Sequence, residues 1–290
     1  MAYNKLPIQN SFFPNWSWEK PTDFYEKPKL LWIGASENQD NSGLIEGLED
    51  QFETTIYYRT NGEYGLYRNQ DPKIARRVNY EELKKYLKVN NQKFDVIYGQ
   101  FWGSVVDSDF LKMLKVNTQL LGSLSWDDKL PFLWGKGYDN STHSLSENLD
   151  FVALSSPEFL LEYQKKTHAF FLPLGSSKSI FQNTESQQDS SYNHDISFIG
   201  NRYGFRVKLI EYLTERGLKV KAYGGDWPLG FADFEKSAKI MRQSKINLGN
   251  SFVGHSRKVT TLKLRDFDAP MSGSLYITNY DQAYINMAKT

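Results

Sequence analysis

Two arginines, Arg202 and Arg206, follow the apolar run Ile196-Ser197-Phe198-Ile199-Gly200. The run reads as a buried strand, and Gly200 as the point where backbone can approach a guest closely. A helix predicted over 203–216 comes next. Unpaired N–H groups at its start, together with two bidentate guanidiniums, suit a diphosphate. The plainer alternative is a pair of solvated arginines at a helix start. Further on, Lys263, Arg265 and Asp268 lie on a helix predicted over 263–271. Lys263 and Arg265, two apart, cannot share a helix face, whereas Asp268, three beyond Arg265, shares the face of Arg265. Its carboxylate can accept hydrogen bonds from a ribose diol, or it can simply pair with Arg265.

A second set of candidates lies upstream. Ser125-Trp126-Asp127-Asp128 follows a predicted strand, where open sheets place their ligands. Asp127 or Asp128 could act as general base for an acceptor hydroxyl or orient it; turn acids and a helix cap are the alternative. Trp126 could stack on a sugar or fill the core edge. Gly34-Ala35-Ser36 ends the first predicted strand, which puts Gly34 and Ser36 on the acceptor side. The sequence lacks both a Walker A motif and a Gly-x-Gly-x-x-Gly fingerprint, which argues against a dinucleotide enzyme. The four histidines, 143, 168, 194 and 255, have no i, i+4 pairing, so no metal site is expected. In the loop 251–261, His255 could reach the cleft, and Arg257 and Lys258 beside it could touch phosphate.

Composition narrows the class. With 290 residues, 40% of them hydrophobic, the chain has room for two packed domains. A net charge of +1 gives no electrostatic case for nucleic acid. There are no cysteines, which excludes disulfides and thiolate chemistry. No transmembrane segment or signal peptide is read, and a cytoplasmic location is expected. Tyr and Trp are abundant, 18 and 7, which suits a sugar-facing cleft as well as a core.

The candidates need a scaffold, and strand and helix alternate to provide one. Residues 1–28, with prolines at 7, 14, 21 and 28, read as an irregular arm. Strands are predicted at 29–33, 53–58, 94–98, 119–124, 150–154 and 169–172, with helices at 42–52, 80–87 and 110–116. Residues 175–194 are polar and turn-rich and read as a linker. Alternation then resumes, with strands at 196–199, 219–223, 245–248 and 274–278. The expectation is α/β: two halves with a cleft between them, 29–174 supplying the acceptor wall and 195–290 binding the nucleotide.

The segment 195–278 resembles the glycosyltransferase-like domain of the spore maturation protein CgeB family, a branch of the GT-B glycosyltransferases. The pieces are Phe198-Ile199-Gly200 with Arg202 and Arg206, Ser244-Lys245-Ile246-Asn247-Leu248, and Leu264-Arg265-Asp266-Phe267-Asp268 before Gly273. The last is similar to the family's Arg-x-Phe-Glu signature, with Asp268 in the Glu position. Ser125-Trp126-Asp127-Asp128 and Ser155-Ser156-Pro157-Glu158 with Tyr163 are similar to parts of the N-terminal half.

This resemblance implies two Rossmann-like domains facing a cleft, and glycosyl transfer from a nucleotide-diphosphate sugar to a glycan, protein or small molecule, with no metal or other cofactor. Arg202 and Arg206 would neutralise the diphosphate, Asp268 would hold the ribose, and Gly200, Lys263 and Arg265 count among the nucleotide-sugar-binding residues. Gly224 to Trp227 and Asn247 to Ser251 would line the base and sugar pocket. On this basis Arg202→Ala is expected to weaken diphosphate binding by about 1.5–3 kcal/mol. Thr260 stands where related GT-B enzymes often carry a second acid that contacts the donor sugar. That leaves donor and stereochemistry open, with a non-catalytic nucleotide-sugar or glycan-binding protein as the alternative. The end of the chain soon after 274–278 reads as an incomplete C-terminal domain.

Overall fold

Continuous apolar runs such as Lys29–Ile33, whose last four residues are all buried, are strands covered on both faces. A computed structural model describes residues 27–126, 140–182, 192–253, 256, 259–279 and 281. Arm residues 1–26, linker residues 183–191, Asp127, Asp128, His255, Arg257 and Lys258 lie outside the described residues. The chain divides into two units, Met1–Asp40 with Gly47–Pro173, and Asn41–Glu46 with Leu174–Thr290.

The first unit holds a six-stranded sheet of β1 (Lys29–Ile33), β2 (Glu53–Ile56), β3 (Phe94–Gly99), β4 (Thr118–Ser125), β5 (Phe151–Leu154) and β6 (His168–Phe171). The order is β2-β1-β3-β4-β5-β6, and every pairing is parallel. Its helices are α1 (Glu37–Asp40), α2 (Leu44–Gln51, entering from the second unit), α3 (Pro72–Asn90), α4 (Ser108–Lys115) and α5 (Leu160–Gln164). Leu31, Ile97, Leu121 and Val152, fully buried, form the centre of its core with Phe101 and Phe110.

The helix expected over 80–87 begins two turns earlier, as α3. Asp71 caps it, accepting from the Lys73 amide at 2.9 Å, and Pro72 supplies the first helical position. The apolar stripe is hidden in sequence because Asn79 sits in it, between Ala75 and Leu83. Burial of Asn79 is made possible by three hydrogen bonds. Its Oδ1 accepts from the Tyr67 amide, and its Nδ2 donates to the Tyr67 and Val105 carbonyls.

The second unit holds β7 (His194–Ile199), β8 (Val220–Tyr223), β9 (Ser244–Leu248) and β10 (Leu275–Ile277), all parallel, in the order β10-β9-β7-β8. Its helices are α6 (Lys178–Phe181), α7 (Phe205–Glu215), α8 (Phe234–Arg242) and α9 (Arg265–Met271). Asn41–Glu46 belongs here through Glu46, whose carboxylate accepts from Ser177 Oγ at 2.6 Å and Ser179 Oγ at 3.2 Å.

Each sheet reverses direction once. The chain leaves β1 toward β2 on one side and β3 on the other, and leaves β7 toward β8 and then β9. Open α/β sheets bind ligands outside the carboxyl ends of the strands at such points. Gly34 and Gln100 mark the first, and Gly200 and Gly249 the second. No helix among the described residues is long and apolar enough to cross a membrane.

Candidate functional site

The two reversal points differ in what fills them. In the first unit it is the chain's own side chains. Asp40 is fully buried. Its Oδ2 accepts from Tyr64 Oη at 2.5 Å and Trp32 Nε1 at 3.1 Å, and its Oδ1 accepts from Gln100 Nε2 at 2.7 Å. Burial pushes the carboxyl upward, and these donors with the Ala35 amide pull it back. A side-chain carbon on Gly34 would collide with Tyr64 Oη and Asp40 Oδ2. Gly34 is therefore sealed, and Ser36 is half-buried with its carbonyl accepting from the Asp40 amide at 3.0 Å. Tyr64→Phe removes a donor to Asp40 and an acceptor for Trp32 Nε1. It is expected to cost about 1–3 kcal/mol in urea denaturation. At the far end of β4, Trp126 is half-buried, with its Nε1 enclosed and without a partner.

In the second unit the corresponding point carries unspent polar atoms. Gly200 follows β7 with φ +153°, and a side chain there would bring its first carbon to 2.6 Å from Arg265 Nη2. Gly224, at φ +130°, packs its backbone against the Gly200 carbonyl, where any side chain would clash. Trp227 Nε1 donates to that carbonyl at 2.8 Å. The turns after β7 and β8 are thus locked together, and Phe198 presents its ring beneath them.

Two guanidiniums lie over that ring. Arg206, in the first turn of α7, stands with its central carbon 5.8 Å from the Phe198 centroid and 3.9 Å from that of Tyr203. Arg265, the first residue of α9, stands 4.9 Å from the Phe198 centroid. Arg206 Nη1 donates to the Asn201 carbonyl at 3.0 Å, while its Nε and Arg265 Nη1 are buried without partners. Among the described residues neither side chain forms a salt bridge. Burial, then repulsion from Arg265, lowers Arg206 to about 10. Two cations held together with unsatisfied donors and without a salt bridge among the described residues have the chemistry to receive a multiply charged anion.

The acids of α9 divide the work. Asp266 is satisfied: it accepts from Tyr276 Oη on one oxygen and from the Lys263 amide at 2.7 Å on the other. Asp268 is 5% exposed, and its Oδ1 has no hydrogen-bond partner. Burial pushes it up to about 7, against the opposing pull of Ser176 and Arg265. The Ser176 hydroxyl acts on it, yet Ser176 Oγ also lacks a well-formed hydrogen bond, so the pair is loose.

The remaining expected residues are placed as follows. Arg202, with 43% of its side chain exposed, lies 5.5 Å over the Trp227 ring and 4.0 Å from Glu211. The cation acting on Arg206 is Arg265, not Arg202. Trp227 is buried and spent on the Gly200 carbonyl. Asn247 is buried too, accepting from Ser197 Oγ at 2.6 Å and donating to the Met241 carbonyl at 3.0 Å. Lys263 contributes its amide to Asp266. Tyr203, Phe198, Tyr276 and Ser176 join the site without a signal in the sequence that marks them for it. Ser176 stands in the segment taken for a linker, and Phe198 and Tyr276 look like ordinary strand residues.

No protein-family model matches the chain, and no curated protein sequence does. The likeness to the CgeB family therefore rests on the short motifs that carry it. Among solved structures, the chain is similar to the Glycosylation Associate Protein complex from Streptococcus agalactiae, at 11% identity and TM-score 0.40, over 72% of this chain and 47% of that one. It thus spans about half the length of that protein. It is also similar to AviGT4, a glycosyltransferase involved in avilamycin A biosynthesis, at 11% identity and TM-score 0.46, over 87% of this chain and 78% of that one. With TM-scores below 0.5, neither likeness assigns a function to this chain.

Proposed function

We propose that the second unit binds a nucleotide-diphosphate sugar and that the chain is a glycosyltransferase passing the sugar to a glycan, protein or small-molecule acceptor. The observation that carries this is the pair Arg206 and Arg265, packed over Phe198 beside Gly200, with donors to spare and no salt bridge among the described residues. Cleavage of a sugar–phosphate bond leaves charge on the departing diphosphate. Preorganised guanidiniums in a water-poor site stabilise that charge as it develops. Arg206 and Arg265 would do this in place of a metal. Asp268, one helical turn beyond Arg265, offers a free oxygen to ribose hydroxyls. Asp127 or Asp128 is the proposed base or orienting acid for the acceptor.

Thr260, standing where an acid would contact the donor sugar, favours a second reading: a protein that binds nucleotide sugars without turning them over. Calorimetric titration with UDP, GDP and their hexose conjugates, followed by assay of donor hydrolysis, separates the two. Binding with release of free sugar supports the transferase, and binding without it the second reading. Absence of binding at millimolar ligand removes both. Arg202→Ala is expected to weaken UDP or GDP by under about fivefold, roughly 1 kcal/mol, as for an exposed charge. A loss beyond tenfold would bring Arg202 back to the phosphates.

A further inference from the structure

Asp268 is ill-suited to a purely structural role. It is a carboxyl 5% exposed, with one oxygen lacking any partner, one helical turn from a cation that itself has a donor to spare. The next residue, Ala269, packs with Phe181 of α6 and with Ala238 and Met241 of α8, so its surroundings are apolar. The charges that act on it both come from α9: Arg265 favours its ionised form and Asp266 disfavours it. The segment leading into α6 presents the neutral hydroxyl of Ser176, and among the described residues no charged group of α6, α8 or the sheet acts on it. Asp266 is different, because both its oxygens already accept hydrogen bonds.

We propose that Asp268 makes ligand entry proton-linked: a vicinal diol, by donating hydrogen bonds to its carboxylate, binds with release of a proton from it, so affinity for diol-bearing ligands falls as the site is acidified. The inference rests on the nucleotide reading of the same site. Burial, with the charge of Asp266, favours the protonated form. Hydroxyl donors to the free oxygen stabilise only the ionised form, and the proton leaves to solvent. Arg265 is placed to balance the charge that remains.

The test is calorimetry of the full chain with UDP or GDP and with the matching 2′,3′-dideoxynucleoside diphosphate, in buffers of different ionisation enthalpy. The two ligands carry the same phosphates, so phosphate protons cancel in the comparison. At pH 6 the ribose form is expected to release about one proton more than the dideoxy form, and at pH 8.5 the difference vanishes. Asp268→Asn abolishes it at pH 6. A carbon-13 NMR titration of aspartate carboxyls provides a readout that does not depend on a variant. One resonance titrates near neutrality in the free protein and stays ionised when the ribose ligand is bound. Equal proton release by the two ligands overturns the linkage while leaving the site intact. Failure of both nucleoside diphosphates to bind a folded chain overturns the nucleotide reading, and the linkage with it.

Discussion

Asp268→Asn is expected to stabilise the protein by about 2–4 kcal/mol at pH 8 and by well under about 1 kcal/mol near pH 4. The carboxyl is held at about 7 in the fold against an ordinary value of 3.8. A raised value means that the protonated form belongs to the fold. The stability it contributes is fully present below pH 3.8 and is lost as the pH climbs through about 7, because the unfolded chain ionises first. Fully ionised, such a group costs on the order of 4 kcal/mol. Asparagine keeps the shape without the charge, so it resembles the protonated state at every pH. Urea denaturation at pH 4 and pH 8 tests this directly. If the variant is no more stable than the parent at pH 8, Asp268 is not a strained acid. A gain in stability together with loss of UDP or GDP affinity would mark it as retained for binding.

How much of such a site is legible in the sequence differs from residue to residue. The strand Lys29–Ile33 and the run ending at Ile199 were legible because buried parallel strands are continuous apolar stretches closed by glycine. Arg206, Arg265 and Asp268 were legible as types suited to diphosphate and ribose. Their partners were not. Arg202 and Arg206 are four apart, which suggests one helix face, but α7 begins only at Phe205, after Gly204 at φ +57°. Helical spacing therefore does not apply to Arg202, and its side chain goes to Trp227. Trp227 and Asn247 have the polar groups a ligand would use, and both are spent inside the protein. Whether a polar group is spent or spare is decided by tertiary neighbours distant in sequence. Asp40 shows this as well: its partners Tyr64 and Gln100 come from two later loops.

The same contrast between spent and spare groups makes Arg206→Met the other large expected effect: at least a 30-fold loss of nucleoside diphosphate affinity, with stability unchanged or slightly raised. Arg206 is 4% exposed, desolvated and repelled by Arg265, which lowers it to about 10. Keeping it charged at neutral pH costs the fold on the order of 3 kcal/mol. Methionine retains most of the buried volume and removes that cost. Lost in exchange are one hydrogen bond to the Asn201 carbonyl, about 1 kcal/mol, and stacking on Tyr203, about 1 kcal/mol. The net change is a gain of at most about 1–2 kcal/mol, since replacing buried charge by apolar volume is often neutral or stabilising. Binding responds differently. Truncating one partner of a buried charge pair costs about 2–5 kcal/mol, which is roughly 30-fold to several thousand-fold in affinity. Thermal melting and calorimetric titration of the same variant read the two effects separately. A destabilised variant with full affinity would make Arg206 a structural residue, and Arg265 alone would then have to hold the diphosphate.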